Sequence, residues 1–297
     1  MTSAPSETVA AAAAASGTRT RVLTALAFGA PVVALVIWGP TWAVALVVAV
    51  VVYLALREFF ALAEKLGLRA HPLWVLICSA WILVTQWRLA TESPIEIGFL
   101  KWTETGLVLP LDFLLFVFAL GVAVISSIRV DRLSEALSSA SLSAAAILFV
   151  TLPLSFLVPL HSADEHGAAL LIILAMVWVG DSAAYFGGRA LGKHMLAPVL
   201  SPKKTWEGAA ANLAATLLVG LVIAAWSGGG WLHALALGAV VSVAGQFGDL
   251  LESAFKRSAG VKESGHLLPG HGGMLDRVDA LILAAPAGWY YLDLVSR

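Results

Sequence analysis

Charge is what this sequence has least of. Only 12% of its residues are Asp, Glu, Lys or Arg, about half the share of a soluble domain. None occurs from Val22 to Leu56 or from Gly208 to Gly248. Runs of this kind exclude the reading of 297 residues as two soluble domains. A helix needs roughly 20 apolar residues to cross the hydrocarbon core of a bilayer. Each run therefore holds two spans, with turns at Gly39-Pro40 and Ser227–Gly230. Cysteine is almost absent. The single Cys78 excludes a disulfide within the chain, and its apolar surroundings make it a packing residue. There is no G-x-x-x-x-G-K-[ST] loop, which excludes a P-loop fold, no Cys/His cluster with zinc spacing, and no serine in a G-x-S-x-G turn. A formal net charge of −1 gives no reason to expect a nucleic-acid partner.

What is present is a series of apolar segments. They predict an all-α polytopic membrane protein of about nine transmembrane helices, at 22–38, 41–57, 72–88, 107–128, 141–160, 168–187, 209–226, 231–250 and 277–295. Residues 1–21 form a tail whose first 17 residues, rich in Ala, Ser and Thr, predict disorder. Arg19 and Arg21 precede the first span without a cleavage site after it, so that span is expected to be retained. With the N-terminus in the cytoplasm, only Arg88, Lys101 and Arg297 of the 18 Lys and Arg fall outside. One missed span would invert every later loop, so this asymmetry supports the span count and places the C-terminus outside. The outer loops are short or acidic, and no repeat of the transporter kind is visible.

The remaining charge gathers on the cytoplasmic side. Asp276 and Asp279 are three apart at the start of the last span and share a helix face. Such a pair suits one hard divalent cation. Equally, acids at a helix N-terminus complement the macrodipole. Because the apolar stretch after Asp279 ends at Leu292, a helix that crosses the membrane must begin at or before Asp276. Arg277 projects about 100° away on the same turn, free to meet a phosphate. Before this helix, Pro269-Gly270-His271-Gly272-Gly273 makes a loop with little side-chain bulk, where backbone N–H groups can approach an anion. His271 either donates to a phosphate or holds the loop. Lys256, Arg257 and Lys262 follow the eighth span and suit either lipid headgroups or a substrate phosphate; Glu252 and Lys256 also have the spacing of an i,i+4 pair. Asp181, after Gly180, and Asp249, after Gly248, are acids in or at the ends of apolar helices, where they are functional or paired with a base. Asp249 is a candidate third metal ligand. Ser201-Pro202-Lys203-Lys204-Thr205-Trp206-Glu207-Gly208 places two lysines beside hydroxyls, suited to a polyphosphate or to anchoring at the membrane.

The stretch from Ser253 to Asp279 resembles the signature of phosphatidate cytidylyltransferases, also called CDP-diacylglycerol synthases. That signature runs S-x-x-K-R, four residues, K-D, then P-x-H-G-G-x-x-D-R-x-D. Here Ser253, Lys256, Arg257, Lys262, Pro269, His271, Gly272, Gly273, Asp276, Arg277 and Asp279 fall in register. Glu263 stands where the family has Asp. The segments Gly180–Arg189, Ser201–Gly208 and Gln246–Asp249 also resemble family segments, so the likeness covers about 175–295. It implies transfer of CMP from CTP to phosphatidic acid at the cytoplasmic face of the inner membrane, with Mg²⁺, a possible second cation and a possible homodimer. It assigns metal binding to Asp249, Asp276 and Asp279, with Lys256 and Arg277 completing the catalytic set. Substrate contacts fall to Asp181, Ser201, Lys203, Lys204, Arg257, Lys262, His271, Gly272 and Gly273. Three regions result: the tail over 1–21, transmembrane helices over 22–160, and a transmembrane catalytic region over 161–297. Residue chemistry alone also accommodates a CTP-dependent polyprenol kinase, another lipid nucleotidyltransferase, or an ion-coupled transporter that uses Asp181 and Asp249.

Overall fold

The computed structural model describes residues 29–92, 95–97, 100–103, 106–128, 134–164, 166–265, 267 and 272–296. The expected tail over 1–21, the loop residues 269–271 with His271 among them, and Arg297 lie outside the described residues. The described helices are α1 (Gly29–Trp38), α2 (Thr41–Lys65), α3 (Pro72–Thr91), α4 (Leu111–Ile128), α5 (Ala136–Ser162), α6 (Ala168–Leu191), α7 (Trp206–Ser227), α8 (Trp231–Ser258) and α9 (Leu275–Ser296). From α2 to α9, eight are long and apolar enough to cross a membrane. The chain is an all-α polytopic membrane protein, and α1 is the described part of the first expected span.

The helices keep apolar side chains on their outer faces as well as inside. Trp226 is 91% exposed, and Phe116, Leu120, Val222 and Leu232 are exposed too. Backbone groups satisfied within each helix and an apolar exterior are what a hydrocarbon solvent requires. The core lies where α5 is enclosed by α2, α3, α6 and α9. Leu56, Ile82, Ile147, Leu154, Leu160 and Ile173 are fully buried there. The sequence predicts one regular helix over 141–160. Instead α5 contains a π turn at Ile147–Thr151 and breaks again at Phe156. Pro153 and Pro159 cannot donate to the helical ladder, which accounts for the irregular second half.

Outside the helices, β1 (Ile95–Ile97), β2 (Leu100–Thr103) and β3 (Gly106–Val108) form an antiparallel meander between α3 and α4. A hairpin of β4 (Met195–Ala197) and β5 (Ser201–Thr205) joins α6 to α7, with Met195 opposite Thr205 and Ala197 opposite Ser201. Neither sheet is visible in the hydropathy pattern. The hairpin matters for the site, because β5 carries Ser201, Lys203 and Lys204. Thr205 ends β5 and caps α7, its hydroxyl accepting from the Gly208 N–H (3.1 Å).

The most extensive packing is of α6 on α7, α8 on α9, and α7 on α8. Small residues permit it, as in other membrane bundles. At Gly248 a Cβ would run into the backbone carbonyl of Asp279, so α8 and α9 cross with no room for a side chain. As expected from span length, α9 begins before Asp276. In the other direction, α8 continues past its apolar run to Ser258 and so carries Glu252, Lys256 and Arg257 on ordered helix.

Candidate active site

The end of α8 and the start of α9 are joined by a buried charge network. Glu252 and Lys256, i and i+4 on α8, are 1% and 8% exposed. The Lys256 ammonium pairs with Glu252 Oε2 and donates to Asp276 Oδ1 at 2.6 Å. Asp276 Oδ2 accepts from the Gly273 N–H (2.8 Å), the Ser264 N–H (2.9 Å) and the Ser264 hydroxyl (2.9 Å). Both oxygens of Asp276 are thus engaged by the protein, and Lys256 is enclosed between two carboxylates. The expected metal ligand Asp276 and the expected catalytic Lys256 are directed at each other in this structure.

The loop before α9 does receive an anion, and that anion is a protein side chain. Glu58, on α2, accepts from the backbone N–H groups of Met274 and Leu275 and from the Ser264 hydroxyl, all at 2.8 Å. Gly272 adopts φ +76°, and a Cβ there would lie 2.7 Å from Asp276 Oδ2. A Cβ on Gly273 would collide with Glu58 and Ser264. The two glycines expected to admit a substrate phosphate are packed against Asp276 and Glu58. Sequence reasoning did not single out Glu58. Its one local signal is that it follows Arg57 at the end of a charge-free run; its partners lie more than 200 positions away.

A second group of charges lies deeper, formed by α6, β5, α8 and α9. Lys204 pairs with Asp249 Oδ2, bringing the hairpin onto α8. Asp181 interacts electrostatically with Asp249, Lys204 and Arg277. Asp279 feels the charges of Asp249, Glu252 and Asp181. Asp249 lies nine residues before the end of α8, roughly 14 Å from it along the axis. Among the described residues, no three of His, Cys, Asp and Glu converge tightly enough to make a complete protein cage for a metal. Mg²⁺ does not require one. It takes one or two carboxylates and fills its octahedron with substrate phosphates and water. Neighbouring Asp249 and Asp279, with a lysine ammonium already held against Asp249, have the donor chemistry of such a half-site.

Other candidate residues surround this group. Arg257 Nε donates to the Leu200 carbonyl (3.1 Å) and Nη1 to the Val261 carbonyl (2.9 Å), tying the hairpin turn to the loop after α8. Lys203, Lys262 and Arg277 are exposed, while Ser201 is half-buried. Beneath Asp181, buried Asn212 donates to its Oδ1 (3.5 Å) and accepts from Ser242 (2.7 Å) and Gln246 (3.5 Å). Glu207 holds the entry to the hairpin. It accepts from the Lys193 and His194 N–H groups and bonds the His194 ring at 2.6 Å. Asn212 and Ser242 went unnoticed in the sequence because single polar residues in apolar helices show no spacing pattern.

Fold and site together define a polytopic membrane protein in which α6 to α9 bring carboxylates and cations together. The model of the cytidylyltransferase family matches residues 19–295, and the chain belongs to this family. It is 34% identical over 274 residues to the phosphatidate cytidylyltransferase of Brucella suis, covering 91% of each chain. The phosphatidate cytidylyltransferase of Haemophilus influenzae is 44% identical over 137 residues, 44% of this chain and 48% of that protein. That of Bacillus subtilis is 36% identical over 154 residues, 51% of this chain and 57% of that protein.

Proposed function

We propose that this chain transfers CMP from CTP to phosphatidic acid, forming CDP-diacylglycerol and releasing pyrophosphate. The single observation that carries the reading is similarity along 91% of both chains to a protein named for this activity. The charged group on α6, β5, α8 and α9 supports it. A phosphate oxygen of phosphatidic acid attacks the α-phosphorus of CTP. The bond from that phosphorus to the bridging oxygen of the β-phosphate breaks, and pyrophosphate leaves with the electron pair. No general base is needed, because a phosphate monoester is already anionic at neutral pH.

Two polyanions must meet, so the residues chiefly neutralise and orient. Lys203, Lys204, Lys262 and Arg277 face the triphosphate and the lipid phosphate. Asp249 and Asp279 hold the cation, and Asp181 contributes a carboxylate beside them. Asp276 and Lys256 set the start of α9 from within the network they share. Mg²⁺ would be held there by Asp249 and Asp279 and would supply divalent charge to offset that of the phosphates. Lys204, beside Asp249, is the ammonium placed to meet the charge of the pyrophosphate leaving group. The bias of Lys and Arg supports the further reading that this end of the bundle lies at the cytoplasmic face of the inner membrane, with the N-terminus inside and the C-terminus outside. The proposal includes the homodimer and second cation that the family resemblance implies.

The test is incorporation of radiolabelled CTP into lipid by the detergent-purified chain with phosphatidic acid and Mg²⁺, alongside Asp279→Ala. Product that requires both substrates and the carboxylate supports the proposal. A folded protein that makes no product from phosphatidic acid overturns it.

A further inference from the structure

We propose that Glu58 is a positioning residue of this active site, a carboxylate from the N-terminal half that locks the helix start carrying Asp276, Arg277 and Asp279. The inference rests on the proposed reaction only for its kinetic consequence. The first N–H groups of a helix have no partner within it, and their aligned dipoles favour negative charge. At α9 this place is taken by Glu58. Oε1 accepts from the Met274 N–H and Oε2 from the Leu275 N–H, each at 2.8 Å. The Ser264 hydroxyl stands between Glu58 Oε2 (2.8 Å) and Asp276 Oδ2 (2.9 Å), so its proton is shared by two carboxylates.

The loop is shaped around this carboxylate. A Cβ on Gly265 would lie 2.7 Å from Glu58 Oε1, and one on Gly273 would collide with Oε2. The next residue, Phe59, packs edge-on against Phe255 of α8 with ring centroids 5.7 Å apart. Thus α2 grips both α8 and α9 at the level of the Lys256–Asp276 bond. A chain of polar contacts runs from Glu58 through Ser264, Asp276 and Lys256 to Glu252. Both carboxylate oxygens of Glu58 are engaged by Met274, Leu275 and Ser264. Glu58 acts through the position of α9, where its last contact, at Leu275, lies four residues before Asp279.

The first test is hydrogen exchange of Glu58→Gln and Glu58→Ala in the full-length, detergent-solubilised chain. Backbone amides over 273–277 are expected to exchange at least tenfold faster in both variants, with peptides from α3 and α6 unchanged. No substrate is involved, so this outcome is independent of the reaction assigned. The second test is kinetic. Glu58→Gln is expected to raise KM for CTP about fivefold or more in the protein that remains folded, and Glu58→Asp to recover part of that loss. A smaller folded fraction alone would lower kcat and leave KM unmoved. If the Glu58 variants do not fold, Ser264→Ala replaces them: it removes one donor from Glu58 and is expected to speed exchange at the same amides. Unchanged exchange at 273–277, or lost thermal stability with KM for CTP unchanged, overturns the proposal.

Discussion

The Lys256 ammonium stands 2.6 Å from Asp276 Oδ1 and closes the last turn of α8 onto the first turn of α9. Glu252, almost fully buried, pairs with the same ammonium from the other side. Removing one partner from such a cluster leaves charge uncompensated in the interior, at a cost of about 3–5 kcal/mol. Lys256→Met is therefore expected to lower the thermal midpoint of the purified protein sharply. Lys256→Met with Glu252→Gln should recover part of the loss. Thermal unfolding monitored in detergent checks both.

Lys204 occupies Asp249 in the structure, so it competes with any cation for that carboxylate. If it then meets the triphosphate, Lys204→Ala has two opposite effects. KM for CTP is expected to rise about tenfold, or ~1.4 kcal/mol, while the Mg²⁺ concentration giving half-maximal rate falls. Initial rates over a grid of CTP and Mg²⁺ concentrations measure both.

Asp249→Asn and Asp279→Ala remove carboxylates from the proposed cation half-site and are expected to lower kcat at least 100-fold, about 2.7 kcal/mol or more. Chelation with EDTA should abolish incorporation of CTP, and added Mg²⁺ should restore it. Activity in EDTA equal to that in Mg²⁺ would remove the metal from the proposal.

Gly248 lies where a Cβ would collide with the Asp279 carbonyl. Gly248→Ala must push α8 and α9 apart, and overpacking of this kind costs about 1–3 kcal/mol. Loss of activity is expected to exceed the loss of folded protein, because the strain falls beside Asp249 and Asp279. Specific activity normalised to the monodisperse fraction tests this.

Asn212 satisfies Asp181, Ser242 and Gln246 at once. Asn212→Ala leaves those groups without their shared partner, at about 1–3 kcal/mol for a buried unsatisfied group. Asn212→Leu is expected to be no better, since the polar groups around it remain. Thermal midpoints of the two variants decide this.

Much of the bundle was legible from hydropathy. The charge-free runs set the spans, and the short apolar stretch after Asp279 required α9 to start before Asp276. The signature around Ser253 to Asp279 marked the family, and the four-residue spacing of Glu252 and Lys256 marked their pair. The π turn in α5 and the β4–β5 hairpin were not legible, because apolar periodicity carries no signal for either.

Composition and spacing by themselves determined that the chain is a membrane bundle whose charged clusters gather between and at the ends of apolar helices. Those properties follow from transfer of side chains between water and hydrocarbon, which is local and additive along a helix. Which partners each carboxylate meets was decided only by tertiary structure. Asp276 and Asp279 are three apart and look alike in sequence, yet one is engaged by Lys256, Ser264 and Gly273 and the other stands beside Asp249. Glu58 acquires its place on α9 from residues more than 200 positions away. Hydrogen bonds and buried charges depend on direction and distance in space, and no spacing along the chain encodes them.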